Sequence, residues 1–77
     1  MKITGSMHYV KFDLENGYMI KAEGEMLAGR QFVAYKNTMK SWEEPHQNEE
    51  VTQIQIEKII QEVKNTLNEK PLQIIFK

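Results

Sequence analysis

Residues 51–67 are the one stretch with helical period, and they dictate what the rest of the chain must supply. Ile56, Ile59, Ile60, Val63 and Leu67 fall at spacings that form one apolar stripe. Lys58, Gln61, Glu62 and Asn65 lie away from it, and Ile54 is also off it. Thr52 stands where an N-cap belongs, Gln55 three residues later completes a capping box, and Val51 and Ile56 have the spacing of a hydrophobic staple. Pro71 blocks continuation. Burying the stripe contributes roughly 1.5–3 kcal/mol per side chain before conformational entropy is subtracted. One helix has one stripe to bury, so the other segments must assemble the surface beneath it. A chain of 77 residues buries only about 60% of what it exposes unfolded, which makes residues 1–77 a single domain with a thin core. There is no cysteine, so stability must come from packing or association, and a reducing, cytoplasmic setting fits.

The surface beneath the helix reads as strands. Asn16-Gly17 is the strongest turn signal, and two registers are open to a hairpin built on it. A two-residue loop pairs Phe12 with Lys21 and Val10 with Glu23, mixing apolar and charged partners. A three-residue loop, Glu15-Asn16-Gly17 with a left-handed Gly17, pairs Leu14 with Tyr18, Phe12 with Ile20 and Val10 with Ala22, and keeps one face apolar. The second register is therefore expected, with Tyr9, Lys11, Asp13, Met19, Lys21 and Glu23 on the opposite face.

Gly24 to Gln31 reads as a connection. Its two glycines resemble a phosphate-binding loop only superficially, because Arg30 and Gln31 stand where a lysine and a hydroxyl are required. Phe32–Tyr35 and Met39–Trp42 read as further strands, ended by Pro45, and Leu72–Phe76 as the last. The order β-β-β-β-α-β predicts an α+β fold, a small antiparallel sheet with one α-helix packed on one face.

Charge is distributed unevenly. Residues 1–42 carry a net +2, residues 43–50 carry −4 and residues 51–77 carry +1. The central segment follows Trp42, the sole tryptophan, and holds Glu43, Glu44, Pro45, His46, Glu49 and Glu50 with no lysine or arginine. A charge run is often a solvated face, and Glu49 and Glu50 also favour the start of the helix that follows. An aromatic beside a one-sign patch is equally the makeup of a steered binding surface. Trp42 itself is open to two readings, a core residue or an interface anchor.

Catalytic and metal chemistry find no motif. His8 and His46 stand in different segments without ligand spacing, no turn motif marks Ser6, Thr38, Ser41 or Thr52 as a nucleophile, and the paired glutamates lack a pocket to separate their pKa values. No cofactor, metal or enzymatic activity is expected. A formal net charge of −1 argues against phosphate neutralisation and hence against nucleic acid as partner. No apolar run approaches the roughly 18 residues of a membrane span, and the N-terminus does not read as a secretory signal.

The segments Gly24-Glu25-Met26-Leu27, Phe32-Val33-Ala34-Tyr35 and Trp42-Glu43-x-Pro45, then a short acidic stretch and a Thr-capped helix with Ile59-Ile60, resemble the bacterial immunity protein 74 family. The sequence departs from that pattern at Glu44, where a second proline is usual, and near His46, where an aromatic is usual. The resemblance implies a small cytoplasmic protein made with a polymorphic toxin, which binds the toxin's catalytic domain and protects the producing cell. A nuclease toxin presents a basic groove, and an acidic inhibitor surface would suit it. The residues expected to meet such a partner are Tyr35, Trp42, Glu43, Glu44, His46, Glu49 and Glu50. A second function class is a structural or regulatory homo-oligomer, such as a homodimer, associating through the uncovered sheet face or an edge strand.

Overall fold

A computed structural model describes residues Met1–Lys77. One five-stranded sheet is formed by β1 (Lys2–Gly5), β2 (Tyr9–Asp13), β3 (Met19–Leu27), β4 (Gln31–Ala34) and β5 (Gln73–Phe76), in that spatial order. The helix α1 (Gln53–Thr66) lies between β4 and β5 in the chain. The α+β class and the helix packed on one face are as the sequence predicts; the order β-β-β-β-α-β recurs too, but with β1 added at the front and no strand at Met39–Trp42. The sheet is mixed, however. β1 to β4 pair antiparallel, whereas β5 runs parallel to β4, because the intervening helix carries the chain back to the end where β4 begins.

The hairpin takes the three-residue register. Val10 faces Ala22 and Phe12 faces Ile20, and the Leu14 amide donates to the Tyr18 carbonyl at 3.0 Å. Gly17 is left-handed at φ 93°, as is Glu15 at φ 61°. The helix starts as predicted too. Gln55 N–H donates to Thr52 Oγ1 at 3.2 Å and Thr52 N–H donates to Gln55 Oε1 at 2.9 Å, closing both halves of the capping box. Ile59 and Val63 are buried, Ile56, Ile60 and Leu67 half-buried, and Ile54 is 65% exposed.

Three segments differ from expectation. β1 lies outside the strands the sequence predicts; its single inward apolar residue, Ile3, offers no period, and the strand is defined by its pairing with β2. Gly24 is not a break, since β3 continues through it to Leu27. A Cβ at Gly24 would fall onto the Val33 carbonyl and 2.8 Å from the Phe32 ring, so glycine here permits strand contact and is not a breaker. Met39–Trp42 is not a regular strand. Lys36–Thr38 forms a 3-10 turn, after which only the isolated bridges Ile20 to Trp42 and Ser41 to Glu50 form. Thr38 also ends β4: its hydroxyl donates to the Tyr35 carbonyl at 2.6 Å and accepts the Glu23 N–H at 2.9 Å, so a side chain stands between the two backbone groups that the next β3–β4 ladder bond would join.

The core joins both layers. Val10, Phe12, Ile20, Ala22, Phe32 and Ala34 from the sheet meet Ile59 and Val63 from α1, with Met39 and Trp42 closing one end.

Candidate protein-binding surface

The acidic loop is built onto the hairpin tip. Trp42 bridges to Ile20, and the next amide, Glu43 N–H, donates to the Met19 carbonyl at 2.8 Å. Two turns follow, His46 N–H to the Glu43 carbonyl and Glu49 N–H to the His46 carbonyl, both at 3.0 Å. They fold residues 43–49 back over Tyr18. The Tyr18 hydroxyl donates to Glu49 Oε1 at 2.7 Å, while His46 Nδ1 bonds to Glu49 Oε2 at 2.5 Å. The Tyr18 and His46 rings stack at 3.8 Å and 14°, and Tyr18 meets the Trp42 ring edge-on at 5.1 Å. Trp42 Nε1 closes the far end by donating to the Glu50 carbonyl at 3.3 Å. With Glu49 ionised, the proton it shares with His46 resides on Nδ1.

This arrangement changes the carboxylate chemistry. Donation from the Tyr18 hydroxyl, and then from His46, holds the Glu49 carboxyl below the usual carboxylate range. The same bond, with partial burial and the adjacent negative charge, pushes the Tyr18 hydroxyl above its ordinary value. Glu43 is occupied as well, through an ion pair with Lys11 at 3.5 Å. Glu44 and the Glu50 side chain are exposed and make no hydrogen bond or ion pair. Each pair of adjacent glutamates thus contributes one anchored and one free carboxylate.

A family model described as immunity protein 74 matches residues 2–77. The chain belongs to the immunity protein 74 family. No curated protein and no solved structure matches it. Membership in a family of immunity proteins points to toxin neutralisation, with a cognate toxin as partner.

For an immunity protein the relevant question is which side chains the fold offers outward. Trp42 is 3% exposed and belongs to the core, so it supports the loop from below. His46 is half-buried by its stack on Tyr18. Tyr35, 37% exposed, lies at the end of β4, where its N–H donates to the Glu23 carbonyl, three residues further along β3 than the Trp42 bridge. It shares no hydrogen bond with residues 42–50. The residue that sequence reasoning missed is Tyr18, assigned there only to the hairpin. Its bond to Glu49 spans 31 positions, and nothing local signals it.

Two concavities complete the surface. A recess of about 360 Å³ lies between the hairpin tip, Trp42 and one side of α1. A second, of about 280 Å³, is mostly apolar and lies between Ile3 of β1 and Ile74 of β5, with Met7 and Met26 also lining it. No group of three or more His, Cys, Asp or Glu side chains converges as metal ligands would, and no helix is long and apolar enough to cross a membrane.

Proposed function

We propose that this immunity protein acts in the cytoplasm of the producing cell by binding the catalytic domain of its toxin through the 42–50 loop and occluding the active site. The toxin class that best suits an acidic inhibitor surface is a nuclease, whose substrate groove is basic. The observation that carries the reading is the held loop with Glu44 and Glu50 free at its surface. A surface fixed before encounter pays less ordering entropy on binding than a floppy one, and its unpaired charges steer approach. Tyr35 and the uncovered sheet face would extend the contact, and Glu43, His46 and Glu49 would shape it from within. The protein needs no chemistry of its own for this.

The test is co-expression with the toxin encoded beside it. Restored growth and co-purification of the two chains are expected; a toxic phenotype that persists, with no complex recovered, overturns the reading. The homo-oligomer reading rests on a different observation, the unpaired outer edges of β1 and β5 together with exposed Leu27 and Ile75. Sedimentation as a monomer at high micromolar concentration removes it.

A further inference from the structure

The recess between the hairpin tip and α1 adjoins the acidic loop through shared walls, Tyr18 and Trp42, and its lining divides by chemistry. Leu14 and Ile59 supply aliphatic surface, Tyr18 and Trp42 supply aromatic surface, and Asn16, Gln55, Lys58 and Glu62 form a polar rim. Two of the rim's oxygen acceptors are already in use. Asn16 Oδ1 takes the Tyr18 N–H at 3.1 Å, and Gln55 Oε1 takes the Thr52 N–H at 2.9 Å. Glu62 is the acceptor left over, with no hydrogen bond and no ion pair. Lys58 stands one turn before it on α1, yet the two are not bridged. Lysine preceding glutamate is the less favourable order for such a pair, so little holds them together.

Resting on the proposed binding of a basic toxin domain by the neighbouring loop, we propose that this recess receives one arginine side chain of that partner. An arginine has an aliphatic stem that lies along apolar walls, a planar cation that stacks on aromatic faces, and only donors at its head. The recess offers aliphatic walls, an aromatic side made by Tyr18 and Trp42, and one free carboxylate. The excess acid of the 43–50 loop beside it favours a cationic occupant over an acidic one. The site uses α1 residues, so the contact surface extends from the loop onto the helix.

The experiment has two arms. In the first, N-acetyl-arginine N-methylamide is titrated into the isotopically labelled protein, with the norleucine analogue as comparison. The arginine probe is expected to shift the Trp42 indole N–H and the amides of Gln55 and Glu62, and Glu62→Gln to weaken it by roughly twofold to fivefold, the size of an exposed ion pair. No shift at these positions, or equal binding of the norleucine probe, overturns the proposal. In the second, the toxin's catalytic domain is bound to wild type and to Glu62→Lys. Weaker binding by the variant supports the recess, and unchanged affinity overturns it while the loop reading stands. Failure of wild type to bind the toxin at all counts against the loop reading, and the arginine titration then decides the recess by itself.

Discussion

Glu49 is hydrogen-bonded by the Tyr18 hydroxyl and by His46, whereas Glu44, on the first turn of the same loop, has no partner. The same contrast separates Glu50 from Glu49 and Glu44 from Glu43. Adjacent residues of identical type therefore have different work, and the division runs within each pair. The anchored member fixes the backbone; the free member is presented by it. Reading the sequence alone places all four glutamates at a partner surface and gives Glu49 and Glu50 the added task of favouring the helix start. The structure shows that Lys11 occupies Glu43, which leaves Glu44 and Glu50 as the unpaired charges.

Several substitutions sharpen or break this contrast. The largest effect is expected beneath the loop. Trp42→Ala removes a core aromatic and the N–H that holds the Glu50 carbonyl, and should cost about 3–5 kcal/mol in denaturant unfolding. A loss under about 1 kcal/mol would mean the tryptophan is not a structural support. Removing the helix cap is next. Thr52→Ala should cost about 1 kcal/mol and lower the melting temperature without altering the loop's tyrosine–histidine contacts.

Within the loop, Glu49→Gln is expected to lower the melting temperature measurably, whereas Glu44→Gln should change stability by no more than about 0.5 kcal/mol. Equal effects from the two would erase the distinction between anchored and free carboxylates.

The pH dependence offers a subtler check. The Glu49 carboxyl is depressed below its ordinary 4.5, so the stability it contributes is fully present above that value and is lost as pH falls through the lower folded-state value. The Tyr18 hydroxyl is raised above its ordinary 10.0, so its contribution is full below that value and is lost as pH rises through the raised one. Tyr18→Phe keeps the ring stack, removes the alkaline loss and flattens the acid limb, because the tyrosine hydroxyl is the first cause of the Glu49 shift. An acid limb identical to wild type would show that the bond does not form in solution.

How much of this was legible in the sequence depended on how local each feature is. Thr52, Gln55 and the stripe from Ile56 to Leu67 could be read because caps and helical period involve neighbours. The Phe12–Ile20 register could be read because slippage would have turned charged residues onto the apolar face. β1 could not, since one isoleucine carries no pattern, nor could the passage of β3 through Gly24, where a glycine that allows close approach is indistinguishable from one that breaks a strand. The parallel alignment of β5 depends on where α1 delivers the chain. The candidate surface was legible as charge and not as geometry. Tyr18 meets Glu49 across the whole β3–β4 unit, and Lys11 meets Glu43 across the sheet, so neither partner is visible from the residues beside it.

The central claim is that two free carboxylates on a fixed loop guide the toxin in, and association kinetics test it most directly. The rate of binding to the toxin's catalytic domain would be measured across a salt series for wild type, Glu44→Lys and Glu50→Lys. The account predicts slower association of both variants at low salt, convergence with wild type as screening increases, and an unchanged melting temperature for Glu44→Lys. Association rates that match wild type at every salt concentration would contradict it.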